Sequence, residues 1–295
     1  MKEKKYKIKN QSNIGLFLAL MSACLYAFNV IIEKKYIENM SSEKILFLMY
    51  LGAGLGLYII NIIASKNRKS DENKITKREI PKVITIAICE LIASFLIIEA
   101  IKHIDASLVS LLSIFEIVMT SICAYFIFKD PIEKKEIVAM SIIILASLIL
   151  NFKDNIFNRI NINSILVIGA CLFWGIENNI TALISSKEPS LFTSIKCSSV
   201  ALMYFVLMII KGSFSINYPI LALYGFFSYG LSILFYALST KYLGASKSTM
   251  IFSFSPIFAV LLSIIIYNEK ITFTFLISTI LMIISIIIIN LKSKE

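Results

Sequence analysis

Ten predominantly apolar runs, each long enough to cross a lipid bilayer as a helix, constrain this chain more than any other feature. They lie at approximately 13–32, 45–64, 81–101, 106–128, 135–151, 164–184, 191–210, 218–239, 246–267 and 272–290. A segment in hydrocarbon must satisfy its backbone polar groups internally, which a helix of about 20 residues achieves. Only residues 65–80 form a connection of real polar length, and nothing outside the runs is large enough for a hydrophobic core of its own. The expectation is an all-α integral membrane protein of ten transmembrane helices, with its function located among them.

The charge pattern orients these helices. A formal charge of +10 raises the question of nucleic acid, but the distribution of the basic residues answers it. With a cytoplasmic amino terminus, 20 of the 29 Lys and Arg fall on the cytoplasmic side, 8 fall on the other, and Lys196 lies within a run. That asymmetry is the positive-inside bias, so both termini are expected in the cytoplasm and no nucleic-acid partner is implied. The basic start MKEKKYKIKN precedes an apolar run with no small-residue cleavage site after it, and reads as a cytoplasmic segment, 1–12, leading into a retained first helix. Cys24, Cys89, Cys123, Cys171 and Cys197 all fall within apolar runs with no CxxC spacing, which fits packing and implies no disulfide, metal or cofactor.

A weak internal repeat divides the chain. "ACLYAFN" at 23–29 resembles "ACLFWGI" at 170–176, and residues 102–132 align with 241–271 at an offset of 139, pairing Asp130 with Glu269. Each half, 13–152 and 163–291, contains five crossings. An odd number forces the second half to enter from the opposite face, so the architecture expected is two inverted five-helix repeats. Secondary transporters built this way bind substrate near the bilayer midplane where the repeats meet.

The halves, the Ala-Ser pairs that begin the fourth and ninth runs (Ala106-Ser107 and Ala245-Ser246) and the acidic residues that end them (Asp130 and Glu269) resemble the ten-helix EamA type of the drug/metabolite transporter superfamily. The likeness covers nearly all of 13–290. Relatives often carry Glu-Pro at the position of Glu116-Ile117, and the ninth run has Ser255-Pro256 without the acid. "WGIENNITALISSKEP", followed by Lys196, is similar to a bacterial subgroup with a Trp-x-x-acid-Asn-Asn-x-Thr pattern. The resemblance implies transport across a bacterial cytoplasmic membrane, and it leaves the cargo open.

Helical spacing places Trp174, Glu177, Asn178, Thr181 and Ser185 on one polar stripe of the sixth run. Glu90 with Ser94 on the third, Ser113, Glu116 and Thr120 on the fourth, and Lys196 on the seventh add buried polar groups. A charge at mid-membrane costs about 3 kcal/mol on insertion scales, so four facing lipid would cost about 12 kcal/mol, comparable to a domain's whole stability. These groups are therefore expected to face the interior. Asn29, Tyr229, Tyr236, Ser232, Thr249 and Ser253 are candidates for the same lining, although Ser and Thr also bond their own helix backbone and Tyr also anchors at interfaces.

Glu177 and Glu90 are the candidates for exchanging a proton with substrate. Lys196 either pairs with Glu177 as a lock or separates from it to bind a zwitterion. Glu99 and His103 are read as interfacial, and Asp130 and Glu269 as helix-boundary residues. No GxxxxGK[ST], HExxH or GxSxG occurs, so neither direct use of ATP nor hydrolytic chemistry is expected. The leading expectation is a secondary active transporter, exporter or exchanger, of a small metabolite, amino-acid-like or cationic. The alternative is a non-transporting membrane receptor or assembly subunit. Gly52 and Gly56 have GxxxG spacing, so the chain is expected as a monomer or as a homodimer through that face.

Overall fold

The computed structural model describes residues 2–65, 76–129, 134–151, 162–184, 189–213, 215, 217–243, 248, 251–269 and 271–290. Asp130, Ser185, Ala245, Ser246 and Thr249 lie outside the described residues. The helices are α1 (Lys2–Tyr26), α2 (Phe28–Tyr36), α3 (Ser42–Ser65), α4 (Ile80–Ile101), α5 (Ala106–Leu112), α6 (Phe115–Cys123), α7 (Lys134–Asn151), α8 (Ile162–Ile184), α9 (Pro189–Ile210), α10 (Ile220–Gly225), α11 (Ser232–Leu243), α12 (Ser255–Tyr267) and α13 (Phe273–Asn290). Two π-helical turns, Ala124–Phe128 and Phe226–Leu231, continue α6 and join α10 to α11. The described residues contain no β-strand.

Among the described residues, seven helical stretches are long and apolar enough to cross a membrane, and three shorter apolar helices lie at Ile137–Ala146, Ser255–Tyr267 and Phe273–Ile288. Together they correspond to the ten apolar runs. Phe126, Ile210, Ile265 and Phe273 are each more than 70% exposed, an arrangement suited to lipid and costly in water. The fold is an all-α integral membrane fold.

The runs are less continuous than their composition suggests. The first span extends to Tyr36, past its expected end at 32, and brings Glu33 into the helix at 1% exposure. The neighbouring Lys34 explains the extension: its ammonium donates to the carbonyls of Ile101 (2.9 Å) and Ile104 (3.3 Å) at the end of α4. A cation at a helix C-terminus satisfies carbonyls that have no intrahelical donor.

The fourth run breaks at Ser113–Ile114 and the ninth at Ser253–Phe254, each closed by an i→i+3 bond (Ile114 N–H to Leu111 O, Phe254 N–H to Ile251 O). With the 139-residue offset these breaks occupy almost the same place in each repeat, just ahead of Glu116 and Ser255. The breaks carry no glycine. Sequence composition therefore gave no sign of them, although Pro256, which suits the first turn of a helix, follows the second.

The chain divides into two compact units, each drawing on both halves of the sequence. The first comprises Met1–Asn29, Met40–Ile88 and Ile180–Ser255, and the second Val30–Asn39, Cys89–Asn179 and Pro256–Glu295. In the first unit α3 packs against α9 and α10 at backbone distance. A Cβ on Gly52 would lie 1.7 Å from Ala222 O, one on Gly54 2.4 Å from Ser198 Oγ, and one on Gly56 2.1 Å from the Phe226 ring. The Gly52/Gly56 face packs against the chain's own α10 and the π-helical turn after it, a close approach of the kind its GxxxG spacing permits. In the second unit Ser278 donates to Ala146 O (2.9 Å), tying α13 to α7.

Glu269 organises the start of the fourth run. Its two carboxylate oxygens accept the backbone N–H groups of Ala106 and Ser107 (both 3.1 Å), and Ser263 Oγ donates to the same carboxylate at 2.9 Å. Asp105, the residue before α5, makes no side-chain capping bond. A carboxylate there meets both unsatisfied N–H groups and the positive end of the helix dipole. This gives a physical reason for an Ala-Ser start to recur with an acidic end to the partner repeat's helix.

Candidate functional site

The second unit contains the denser polar cluster, built on α8. Cys171, Gly175, Asn178 and Asn179 recur at helical spacing and face α5 and α6. The Cys171 thiol lies 3.9 Å from Leu112 O and 3.8 Å from Ser113 O, the carbonyls at the helix break. A Cβ on Gly175 would lie 2.8 Å from the Met119 carbonyl carbon, so only glycine permits this approach. Asn178 then donates to Glu116 Oε1 at 2.6 Å and to Thr120 Oγ1 at 3.4 Å, and Asn179 donates to Thr120 O at 3.0 Å and Gly175 O at 2.8 Å. The helix break, the close glycine and the two amides form one seam.

Trp174 points elsewhere. Its indole N–H donates to Glu90 Oε2 on α4 at 3.2 Å, with Trp174 8% and Glu90 2% exposed. The stripe expected on one face of α8 therefore divides between two neighbours: Trp174 engages α4, and Asn178 engages α6. Glu177, between them in sequence, is 5% exposed. Ser94 and Ser113 bond back to Glu90 O (2.6 Å) and Val109 O (2.9 Å), the local arrangement that satisfies a serine within its own helix. Glu99 pairs with Lys102 at 2.5 Å near the end of α4, as suits an interfacial residue.

The first unit holds Lys196, Thr181, Asn29, Tyr229 and Tyr236. Lys196 is 4% exposed on α9, whose Ser194 donates to Gly54 O at 2.9 Å. Tyr229, on the second π-helical turn, stacks on Tyr50 (ring centroids 4.6 Å apart) and meets Tyr26 edge-on at 6.0 Å. Phe252 lies 5.2 Å from both Tyr26 and Tyr236. Ser232, a candidate lining hydroxyl, exchanges hydrogen bonds with Ser22: Ser22 Oγ to Ser232 O at 2.8 Å, and Ser232 Oγ to Ser22 O at 2.9 Å. Asn29 is 3% exposed, and neither of its amide atoms has a hydrogen-bond partner among the described residues.

The structure thus brings together Trp174 with Glu90, and Asn178 with Glu116. It places Tyr229 and Tyr236 in a ring cluster whose other members, Tyr26, Tyr50 and Phe252, were not singled out from sequence. Asn179, next to Asn178 in the polar run of the sixth span, was not among the residues of the stripe. Tyr26 lay in view within the repeated ACLYAFN segment, three residues before Asn29, but an aromatic in an apolar helix reads first as packing.

Apolar helices with buried carboxylates, amides and one buried lysine define a multi-pass membrane protein with polar groups held inside it, the class to which membrane transporters belong. The chain matches the EamA-like transporter family over residues 13–152 and 161–291, and belongs to that family. It is 24% identical over 300 residues to an uncharacterized transporter of Methanothermobacter thermautotrophicus, covering 95% of this chain and 87% of that protein. A crystal structure sharing 10% identity superposes with a TM-score of 0.68, covering 93% of this chain and 95% of the other, a likeness of fold.

Proposed function

We propose that the protein is a secondary active transporter, an exporter or exchanger, of a small metabolite of amino-acid-like or organic-cation character. The observation that carries this reading is the buried Trp174–Glu90 hydrogen bond. An ammonium group beside this pair gains a carboxylate and an indole face together, and a cation over tryptophan is attracted to the ring as well as to the charge. In the second unit Asn178 and Glu116 supply further hydrogen bonds to this pair's site. In the first unit Lys196 offers a cation for a substrate carboxylate, and Thr181, Asn29, Tyr229 and Tyr236 are the substrate-binding candidates there.

With no phosphate-binding loop in the sequence, an ion gradient is the energy source in this reading, and Glu177 or Glu90 exchanges the proton. The activity is binding and release with no bond made or broken, and it needs no cofactor or metal. The positive-inside bias supports a bacterial cytoplasmic membrane location with both termini inside.

Trp174 is the chain's single tryptophan and reports on this site directly. Purified protein titrated with cationic, zwitterionic and neutral metabolites at two pH values is expected to show saturable quenching in one charged class, weakened in Glu177→Gln and in Glu90→Gln. Uptake into liposomes should depend on a proton gradient in wild type and lose that dependence in one of the two variants. A gradient dependence unchanged in both would remove these residues from the coupling role.

A further inference from the structure

Asn29 is the starting point, because a buried primary amide with neither half matched is costly to maintain. Its position follows from the packing of α1 against α11 in the first unit. Gly15 faces Tyr242 and Leu243, Ser22 faces Ser232, and Tyr26 faces Tyr229, so numbering rises along one helix as it falls along the other. The two run antiparallel, and the face Ser22–Tyr26–Asn29 extends along one side of the first span. By helical spacing Asn29, three residues beyond Tyr26, shares the face that Tyr26 turns toward Tyr229 on the π-helical turn Phe226–Leu231.

Two further observations converge there. The π-helical turn carries Tyr229, whose ring stacks on Tyr50 and meets Tyr26 edge-on, so a cluster of three aromatic rings begins one helical turn from the amide. Single π-turns inside helices concentrate at functional sites because they re-aim side chains. The helix is also interrupted near Asn29, at Ala27 between α1 and α2.

We propose that Asn29, with Tyr26, Tyr50 and Tyr229, binds the neutral planar end of the cargo, a carboxamide or heteroaromatic edge presenting adjacent hydrogen-bond donor and acceptor. An asparagine amide offers one acceptor and a donor side by side, and a second amide edge meets both in a cyclic pair. The ring of Tyr26, which is only partly buried, supplies aromatic surface for the plane behind that edge, backed by Tyr229 and Tyr50. None of the four residues carries a carboxylate, so the array lacks the counter-charge a bare cation requires. The proposal rests on the transporter reading above and narrows its cargo to one with such a planar group.

The test uses full-length protein in nanodiscs, with benzamide and 2-pyridone as neutral planar probes and benzyltrimethylammonium as the cation. Binding is measured by equilibrium dialysis, and thermal unfolding is measured in parallel. Asn29→Leu removes the amide at nearly constant volume. The expected result is a loss of benzamide and 2-pyridone affinity of about tenfold or more, with an unfolding temperature equal to or above wild type, since an unmatched polar group has been replaced by an apolar one. Asn29→Asp keeps the shape and removes the donor, and should also weaken both probes.

A lowered unfolding temperature in Asn29→Leu would mean that the amide holds the fold together, and would overturn the proposal. So would benzamide and 2-pyridone affinities indifferent to Asn29, or a loss of benzyltrimethylammonium binding in Asn29→Leu as large as that of the neutral probes. Transport failure is read separately in liposomes: Asn29-dependent binding without uptake of any solute would refute the transporter reading and leave the binding site standing. Uptake without Asn29-dependent binding would do the reverse.

Discussion

Trp174 donates its indole N–H to the carboxylate of Glu90 at 3.2 Å, joining α8 to α4 through two side chains that are both more than nine-tenths buried. The bond gives Trp174 an acceptor and Glu90 a donor where lipid offers neither. It also sets what replacement of either residue should do. Glu90→Leu strands the indole N–H and is expected to destabilise the protein by about 1–3 kcal/mol, whereas Glu90→Gln keeps an acceptor and should cost less. Thermal unfolding of the two variants in detergent, together with a change in Trp174 emission in Glu90→Leu, checks both expectations.

Asn178 and Glu116 are joined at 2.6 Å beside the break in the fourth run, and their energies should not add. Each single alanine substitution breaks this bond from one side and leaves the other group to its remaining contacts. The double variant removes both, so a double-mutant cycle should yield a coupling of about 1–3 kcal/mol. A coupling near zero would assign Asn178 and Glu116 to independent interactions. Asn179→Ala, by contrast, should loosen the α8–α6 seam without coupling to Glu116, because Asn179 bonds to backbone carbonyls.

Glu269 holds the beginning of α5 by accepting two backbone N–H groups. Glu269→Ala removes the cap and should cost about 1 kcal/mol, in the range of other helix caps. Hydrogen exchange gives the localised readout: the amides of Ala106 and Ser107 should lose protection first. Glu269→Gln should retain part of that protection, since the amide oxygen still accepts one bond.

Glycine substitutions should sort by distance. Gly52→Ala places a methyl group 1.7 Å from the Ala222 carbonyl and cannot be accommodated without separating α3 from α10, an overpacking expected to cost about 3 kcal/mol or more. Gly169→Ala meets only Leu96 Cδ1 at 3.4 Å and should be neutral within about 0.5 kcal/mol. Expression and thermal stability of the pair in one membrane preparation test this order directly.

The sequence by itself determined that the chain lives in a membrane, that it crosses in apolar segments of known position, and that a few polar side chains inside them matter. Those properties are local: the hydrocarbon demands a minimum apolar length, and any residue that violates it is conspicuous within its own run. The likeness of 102–132 to 241–271 was equally local and pointed to the family.

Tertiary structure alone decided which polar groups meet. Trp174 and Asn178 are one helical turn apart and share a face by spacing, yet they engage different helices because α8 has a neighbour on each side of that face. The breaks at Ser113–Ile114 and Ser253–Phe254 contain no glycine or proline, so propensity could not reveal them; at the first, contacts from α8 against the adjoining carbonyls belong to residues nearly sixty positions away. Glu269 reads as an interfacial acid until Ala106 and Ser107 are seen at its carboxylate. Hydrogen bonds between distant segments depend on which helices become neighbours, and no short window of sequence carries that information.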